Sequence, residues 1–103
     1  INRAGFKIQP AEIDMLIEQH EAVAEACAFA IPDAISGEIV GAAIRFKPGS
    51  IADLDSVKQF CRARLRREAT PERWFAVDEI PRTSRGKVSR EAVRKVLIEG
   101  SRS

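Results

Sequence analysis

One lysine stands out by its surroundings. In Ile80-Pro81-Arg82-Thr83-Ser84-Arg85-Gly86-Lys87-Val88-Ser89-Arg90, a proline fixes the backbone where a polar turn begins. A glycine then lets the chain bend tightly, and Lys87 follows at once. An apolar residue and an arginine anchor the far side. The arrangement suits a single ammonium group held at a loop tip for an anion, a compact charge on a long flexible stem. Gly-Lys also occurs in the phosphate-cradling P-loop, but that loop needs glycine five residues before its second glycine and Ser or Thr after the lysine. Pro81 and Val88 occupy those positions. By spacing alone the segment is a basic exposed loop, which is ordinarily solvated surface.

The remaining reactive residue types form no further constellation. Cys27 and Cys61 lie within apolar patterns and lack metal-ligand spacing, so they read as buried reduced thiols of a cytoplasmic protein. His20, the single histidine, has no Cys or His neighbour and reads as a helix-end residue rather than a metal ligand. Basic residues gather at Arg62, Arg64, Arg66 and Arg67, and again at Arg82, Arg85, Lys87 and Arg90. A solvated helix face is the plain reading of the first group, and a basic rim for phosphates is the sharper one. The net charge of +2 on 103 residues is too small to imply nucleic acid. No aromatic residue near the loop offers a base a stacking surface. No apolar run has the length of a membrane span, and no signal peptide is visible.

The elements that must position Lys87 follow from pattern. With 45% apolar residues, the chain can form one small core. Residues 5–8 read as extended. Pro10 suits the first turn of a helix, Glu12 favours its N-terminal dipole, and Ile13, Leu16 and Ile17 share one face up to about His20. From Val23 to Ile31, Cys27, Phe29 and Ile31 alternate with Ala24, Ala26, Ala28 and Ala30. A strand with a bulky face and an alanine face implies cover on both sides, with a helix close against the alanines. Turn residues Pro32-Asp33 to Gly37 lead to a returning strand, Ile39 to Phe46, with Val40, Ala42, Ile44 and Phe46 on one side. These two strands form an antiparallel hairpin expected at the centre of the sheet.

After the loop Lys47-Pro48-Gly49-Ser50, Asp53 can cap a helix whose apolar face is Leu54, Val57, Phe60, Cys61 and Leu65. Trp74 to Val77 is a third strand, running directly into the lysine loop. Ser89 can cap a last helix, with Val93, Val96 and Leu97 inward and Gly100 as its stop. The polar tail after Gly100 should fray. The expected fold is α+β: a small two-layer domain, a three-stranded sheet with about three helices, in the order β-α-β-β-α-β-α.

Four segments, in order along the chain, give the lysine loop a context. Pro81-x-Thr83-x-x-Gly86-Lys87-Val88-x-Arg90 resembles the C-terminal signature of the adenylate-forming superfamily, which includes acyl-CoA synthetases, peptide-synthetase adenylation domains and luciferases. Ala4-Gly5-Phe6-Lys7-Ile8-Gln9-Pro10-Ala11-Glu12-Ile13-Asp14 is similar to its Gly-x-x-Ile-x-Pro-x-Glu-Ile-Glu segment. Ala30-Ile31-Pro32-Asp33 with Gly37-Glu38, and Phe75-Ala76-Val77-Asp78-Glu79-Ile80-Pro81, resemble two more. One departure is local: Arg67-Glu68-Ala69-Thr70-Pro71 stands where a Tyr-Lys pair is common in the family.

The resemblance implies a mobile C-terminal domain of an enzyme that joins a carboxylic acid to ATP as an acyl-adenylate and then transfers the acyl group to a thiol. Lys87 would be the adenylation lysine. Gly86 would allow the tight turn, Pro81 and Thr83 would shape the loop, and Arg90 would pair structurally. Gly5 would face the thiol tunnel or serve only as a turn glycine. Lys7 would meet a phosphate of coenzyme A or remain a plain exposed strand lysine. ATP or AMP, Mg²⁺ and the acid would be held mainly by a large N-terminal domain preceding Ile1, this domain's natural partner. The 103 residues alone would then adenylate nothing. The wording of Phe6-Lys7-Ile8-Gln9-Pro10 favours coenzyme A as acceptor over a carrier protein. A free-standing basic anion-binding module is the reading outside this family.

Overall fold

The computed structural model describes residues 1–100; the expected fraying after Gly100 lies outside the described residues. The chain forms β1 (Asn2–Arg3), β2 (Phe6–Lys7), α1 (Pro10–Ile17), β3 (Val23–Asp33), β4 (Gly37–Phe46), α2 (Leu54–Arg62), a short 3₁₀ turn (Arg67–Ala69), β5 (Arg73–Ala76) and α3 (Arg90–Arg94). The last helix runs on as a wider π turn over Lys95–Glu99.

β3 and β4 pair antiparallel from Val23↔Phe46 to Asp33↔Gly37. β5 pairs parallel with β4 between Gly41↔Arg73 and Ile44↔Ala76. The sheet has five strands rather than the expected three. The extra pair is a small hairpin in which Arg3 opposes Phe6, joined to β4 where Arg3 meets Gly37. Its two-residue turn needs positive φ at both central positions, and Ala4 and Gly5 adopt φ of 48° and 87°. The usual Asn-Gly sign of such a turn is absent, which is why the segment reads only as extended from sequence.

β4, not the whole β3–β4 hairpin, forms the centre of the sheet, and β3 is an edge strand. Pro32 within β3 fits an edge, where a missing N–H breaks no ladder. An open edge invites pairing with other chains, and here α1 covers it. Glu18 Oε2 accepts the Ala26 N–H at 3.1 Å, and Asp14 Oδ1 accepts the Ala28 N–H at 2.6 Å.

The alternation of β3 sorts the core into two clusters. Ala26 and Ala28 face Ile13 and Ile17 of α1 and Val57 and Cys61 of α2, together with Val40, Ala42 and Ile44. Cys27, Phe29 and Ile31 face Ile80 and Val93 of the lysine loop and α3. Alanine is a weak strand former, but its small size lets the helices approach closely, and burial outweighs propensity. Helices therefore cover both faces of the sheet, one layer more than the two-layer arrangement expected. Gly41 makes room on the second face: a Cβ there would stand 2.7 Å from Ile31 Cδ1 and 2.9 Å from Phe29 Cζ.

Both expected caps form. The Asp53 side chain accepts from Ser56 N–H at 3.3 Å and Ser89 Oγ accepts from Ala92 N–H at 3.2 Å. α1 ends at Ile17, three residues short of His20. Val96 is exposed rather than inward, while Leu97 and Ile98 lie against the second cluster. The π turn explains this: with more residues per turn, positions four and five after Val93 share its face, rather than three and four. Gly100 stands at the end of that turn with φ of −62°, so it stops the helix without a left-handed cap.

Candidate active-site loop

The lysine loop is a tight hairpin. Arg82 and Val88 form a bridge across its stem. The Thr83 N–H donates to the Lys87 carbonyl at 2.7 Å and the Gly86 N–H to the Thr83 carbonyl at 2.9 Å. Gly86 sits at φ of 83°, the left-handed position that closes a three-residue hairpin loop. Thr83 Oγ1 accepts the N–H groups of Arg85 and Lys87, each at 3.3 Å. Pro81 starts the stem next to Ile80, which is buried in the second core cluster.

Lys87 is exposed at the turn. Among the described residues its ammonium group has no ion pair or hydrogen bond. A free ammonium on a rigid turn can approach an incoming oxyanion without first breaking an internal contact.

Arg90 closes the other side of the loop. Its Nη1 donates to Asp14 Oδ2 at 2.8 Å and to the Ala28 carbonyl at 2.8 Å. One guanidinium thus ties the start of α3 to α1 and to the outer edge of β3. Burial pushes the Asp14 carboxyl above its ordinary value of 3.8, outweighing the Ala28 amide and the Arg90 guanidinium, which both pull it down. An acid raised in the native state holds its proton longer there than in the unfolded chain. Its contribution to stability is full below the unfolded value and is lost as pH rises through the native one. The melting temperature of the parent chain should therefore fall, relative to that of Asp14→Asn, as pH rises above the ordinary carboxyl value of 3.8. Thermal melts followed by circular dichroism check this, and a difference that grows in favour of the parent chain would contradict it.

Gly5 lies at the opposite end of the β3–β4 hairpin. The β1–β2 hairpin attaches beside Gly37, with the Ala4 N–H donating to the Ser36 carbonyl at 2.7 Å. The lysine loop instead ties to Glu25, which pairs with Arg45 at the far end of the ladder. Eight residues at about 3.3 Å each put the two attachment points roughly 26 Å apart. A Cβ on Gly5 would meet nothing within 4 Å, and Lys7 is exposed beside it. The structure therefore brings Pro81, Thr83, Gly86, Lys87 and Arg90 together and keeps Gly5 and Lys7 apart from them.

The Arg62–Arg67 segment has mixed roles. Arg64 stacks over the Phe60 ring at 3.8 Å. Arg62 and Arg67 line an open groove of about 610 Å³ with Arg3, Lys58 and Trp74. His20 links α1 to α2, its Nε2 standing 2.9 Å from Ser56 Oγ. Cys27 and Cys61 are both buried, and burial raises each thiol to about 11. Among the described residues, no group of three His, Cys, Asp or Glu side chains could hold a metal ion. No helix among them is long and apolar enough to cross a membrane.

This geometry coincides with a known family. The model of the AMP-binding enzyme C-terminal domain matches residues 12–87, and the chain belongs to that family. It is 39% identical over 98 residues to a probable CoA ligase of Humulus lupulus, covering 95% of this chain and 19% of that protein. It is 34% identical over 99 residues to an oxalate–CoA ligase of Arabidopsis thaliana, covering 96% and 19%. The chain thus spans about a fifth of the length of these relatives. Among solved structures, a fatty acyl CoA synthetase of Mycobacterium tuberculosis superposes with a TM-score of 0.84 at 26% identity, over 97% of this chain and 20% of that one. The Brucella canis acyl-CoA synthetase gives 0.84 at 28% identity, over 97% and 19%.

Proposed function

We propose that this chain is the mobile lid of an AMP-forming acyl-CoA synthetase, and that it delivers Lys87 to the adenylation site. A large N-terminal domain supplies the ATP and acid sites and any Mg²⁺. In the first half-reaction a carboxylate oxygen attacks the α-phosphorus of ATP and pyrophosphate leaves, so two anions must meet. The Lys87 ammonium, placed between carboxylate and phosphate oxygens, offsets their repulsion and stabilises the charge of the transition state. In the second, a coenzyme A thiol attacks the acyl carbon and AMP leaves.

The observation that carries this reading is the unpartnered Lys87 ammonium at the tip of a hairpin fixed at both stems. Gly5 then faces the thiol path in the second half-reaction. The separation of the two loops supports such a division, because groups so far apart on one rigid domain reach a shared site by turning the domain. Coenzyme A is favoured as acceptor over a carrier protein because the relatives named above are CoA ligases.

The intact enzyme should release AMP only when a carboxylic acid, ATP and coenzyme A are all present. A salt-dependent shift of single-stranded RNA by the chain, with no AMP release by the intact protein, would replace this reading with the anion-binding module. Gly5→Asn separates the two roles of that glycine. Asparagine tolerates a left-handed backbone, so the turn survives while bulk is added. Transfer to coenzyme A should slow about tenfold or more with adenylation unchanged, as expected for a displaced reacting group. Unchanged rates in both half-reactions would leave Gly5 as a turn residue only.

A further inference from the structure

We propose that Glu25 is a positioning residue for Lys87, acting through Arg82; the proposal rests on the reading of Lys87 given above. The bonds inside the hairpin fix its shape, but they do not fix where the hairpin stands on the domain. That second task falls to bonds leaving the loop. Arg90 ties down the start of α3, beyond the stem. Nearer the tip, Arg82 spans the turn: its Nη1 donates to the carbonyl of Gly86, the residue before Lys87, at 3.2 Å. Its Nη2 pairs with Glu25 Oε2 on β3.

One planar guanidinium therefore couples the peptide group next to the lysine to the edge of the sheet, and its rigid fork fixes direction as well as distance. Asp78, Glu79 and Arg45 line the same groove as Glu25 and Arg82, but Arg82 pairs with Glu25. The Glu25 side chain is only 18% exposed, and it is held from its other side by Arg45 at 3.5 Å. Without Glu25, the half-exposed Arg82 can turn into water and the Gly86 carbonyl loses its donor. The hairpin then swings on its stem and the ammonium moves off its target.

A misplacement of about 1 Å can slow a reaction about 10²-fold, and a loosened hairpin spends only part of its time misplaced. In the full-length ligase, Glu25→Ala and Arg82→Ala should therefore each slow adenylation about tenfold. Transfer from supplied acyl-adenylate should be unchanged. The double variant should be no slower than either single one, because both changes break one contact. Glu25→Gln, which keeps an acceptor, should recover part of the loss. Arg45→Ala, which leaves the Arg82 contact intact, should stay within about twofold. In the 103-residue chain, nuclear magnetic resonance of Glu25→Ala should show lower order parameters at the Gly86 and Lys87 amides and unchanged values in β4.

Equal losses in both half-reactions would overturn the positioning role, as would additive effects or loop amides as ordered as in the parent chain. If Lys87→Ala abolishes adenylation while Glu25→Ala changes neither rate nor order, the positioning role alone falls. If Lys87→Ala leaves adenylation intact, the reading of Lys87 falls and the positioning role falls with it.

Discussion

Replacing Lys87 with alanine in the intact ligase should slow acyl-adenylate formation by about 10²–10³-fold, the usual result of removing a preorganised charge donor from a transition state. Transfer of a supplied acyl-adenylate to coenzyme A should stay within about twofold, because on the proposed reading that step uses the Gly5 end of the domain. The asymmetry follows from chemistry. In adenylation two anions approach each other, and a cation between them acts where charge is concentrated. In transfer, a thiol attacks an acyl carbon already activated by its AMP leaving group. Lys87→Arg should recover only part of the rate, since a planar guanidinium replaces a compact ammonium on the stem. Losses of equal size in the two half-reactions would contradict the division of roles between the lysine loop and the Gly5 hairpin.

Phe29→Ala should be the most destabilising single truncation in the core. Phe29 is 1% exposed, packs on Phe75 with ring centroids 6.0 Å apart, and lies over the space left open by Gly41. Removing a buried phenylalanine costs about 3–5 kcal/mol once the cavity is included. For a domain of this size each kcal/mol moves the melting temperature by about 4–8 °C. A fall of at least about 12 °C is expected, measured by thermal melts of the parent chain and the variant. The effect should reach function, because the same cluster holds Ile80 and Val93, which flank the lysine loop in sequence. A fall of less than about 4 °C would mean that Phe29 does not hold this cluster together.

Local chemistry was legible before the fold was known. The caps at Asp53 and Ser89, the two-faced alternation of β3 and the turn at Gly86 each depend on residues a few positions apart, so spacing reveals them. The features that needed the structure depend on distant partners. Ala4 in a left-handed turn carries no sequence sign, so residues 5–8 read as a plain extended stretch and β1 goes unread. β3 looked central because both its faces are apolar. It is an edge strand made safe by Asp14 and Glu18, whose carboxylates reach across from α1. The π turn that rotates Val96 outward and Ile98 inward lies within a pattern that fits an ordinary helix equally well. The Arg82–Glu25 contact joins residues 57 positions apart, a distance at which no motif spacing applies.

On the proposed reading, what the loop contributes depends on a partner domain, and one measurement bears on that most directly. Acid-dependent ATP–pyrophosphate exchange can be followed with the 103-residue chain alone, and with the same chain joined to the large domain of its enzyme. The account predicts background exchange from the chain alone, full exchange from the joined protein, and loss of that exchange on Lys87→Ala. Robust exchange by the chain alone, or exchange by the joined protein that survives Lys87→Ala, would contradict it.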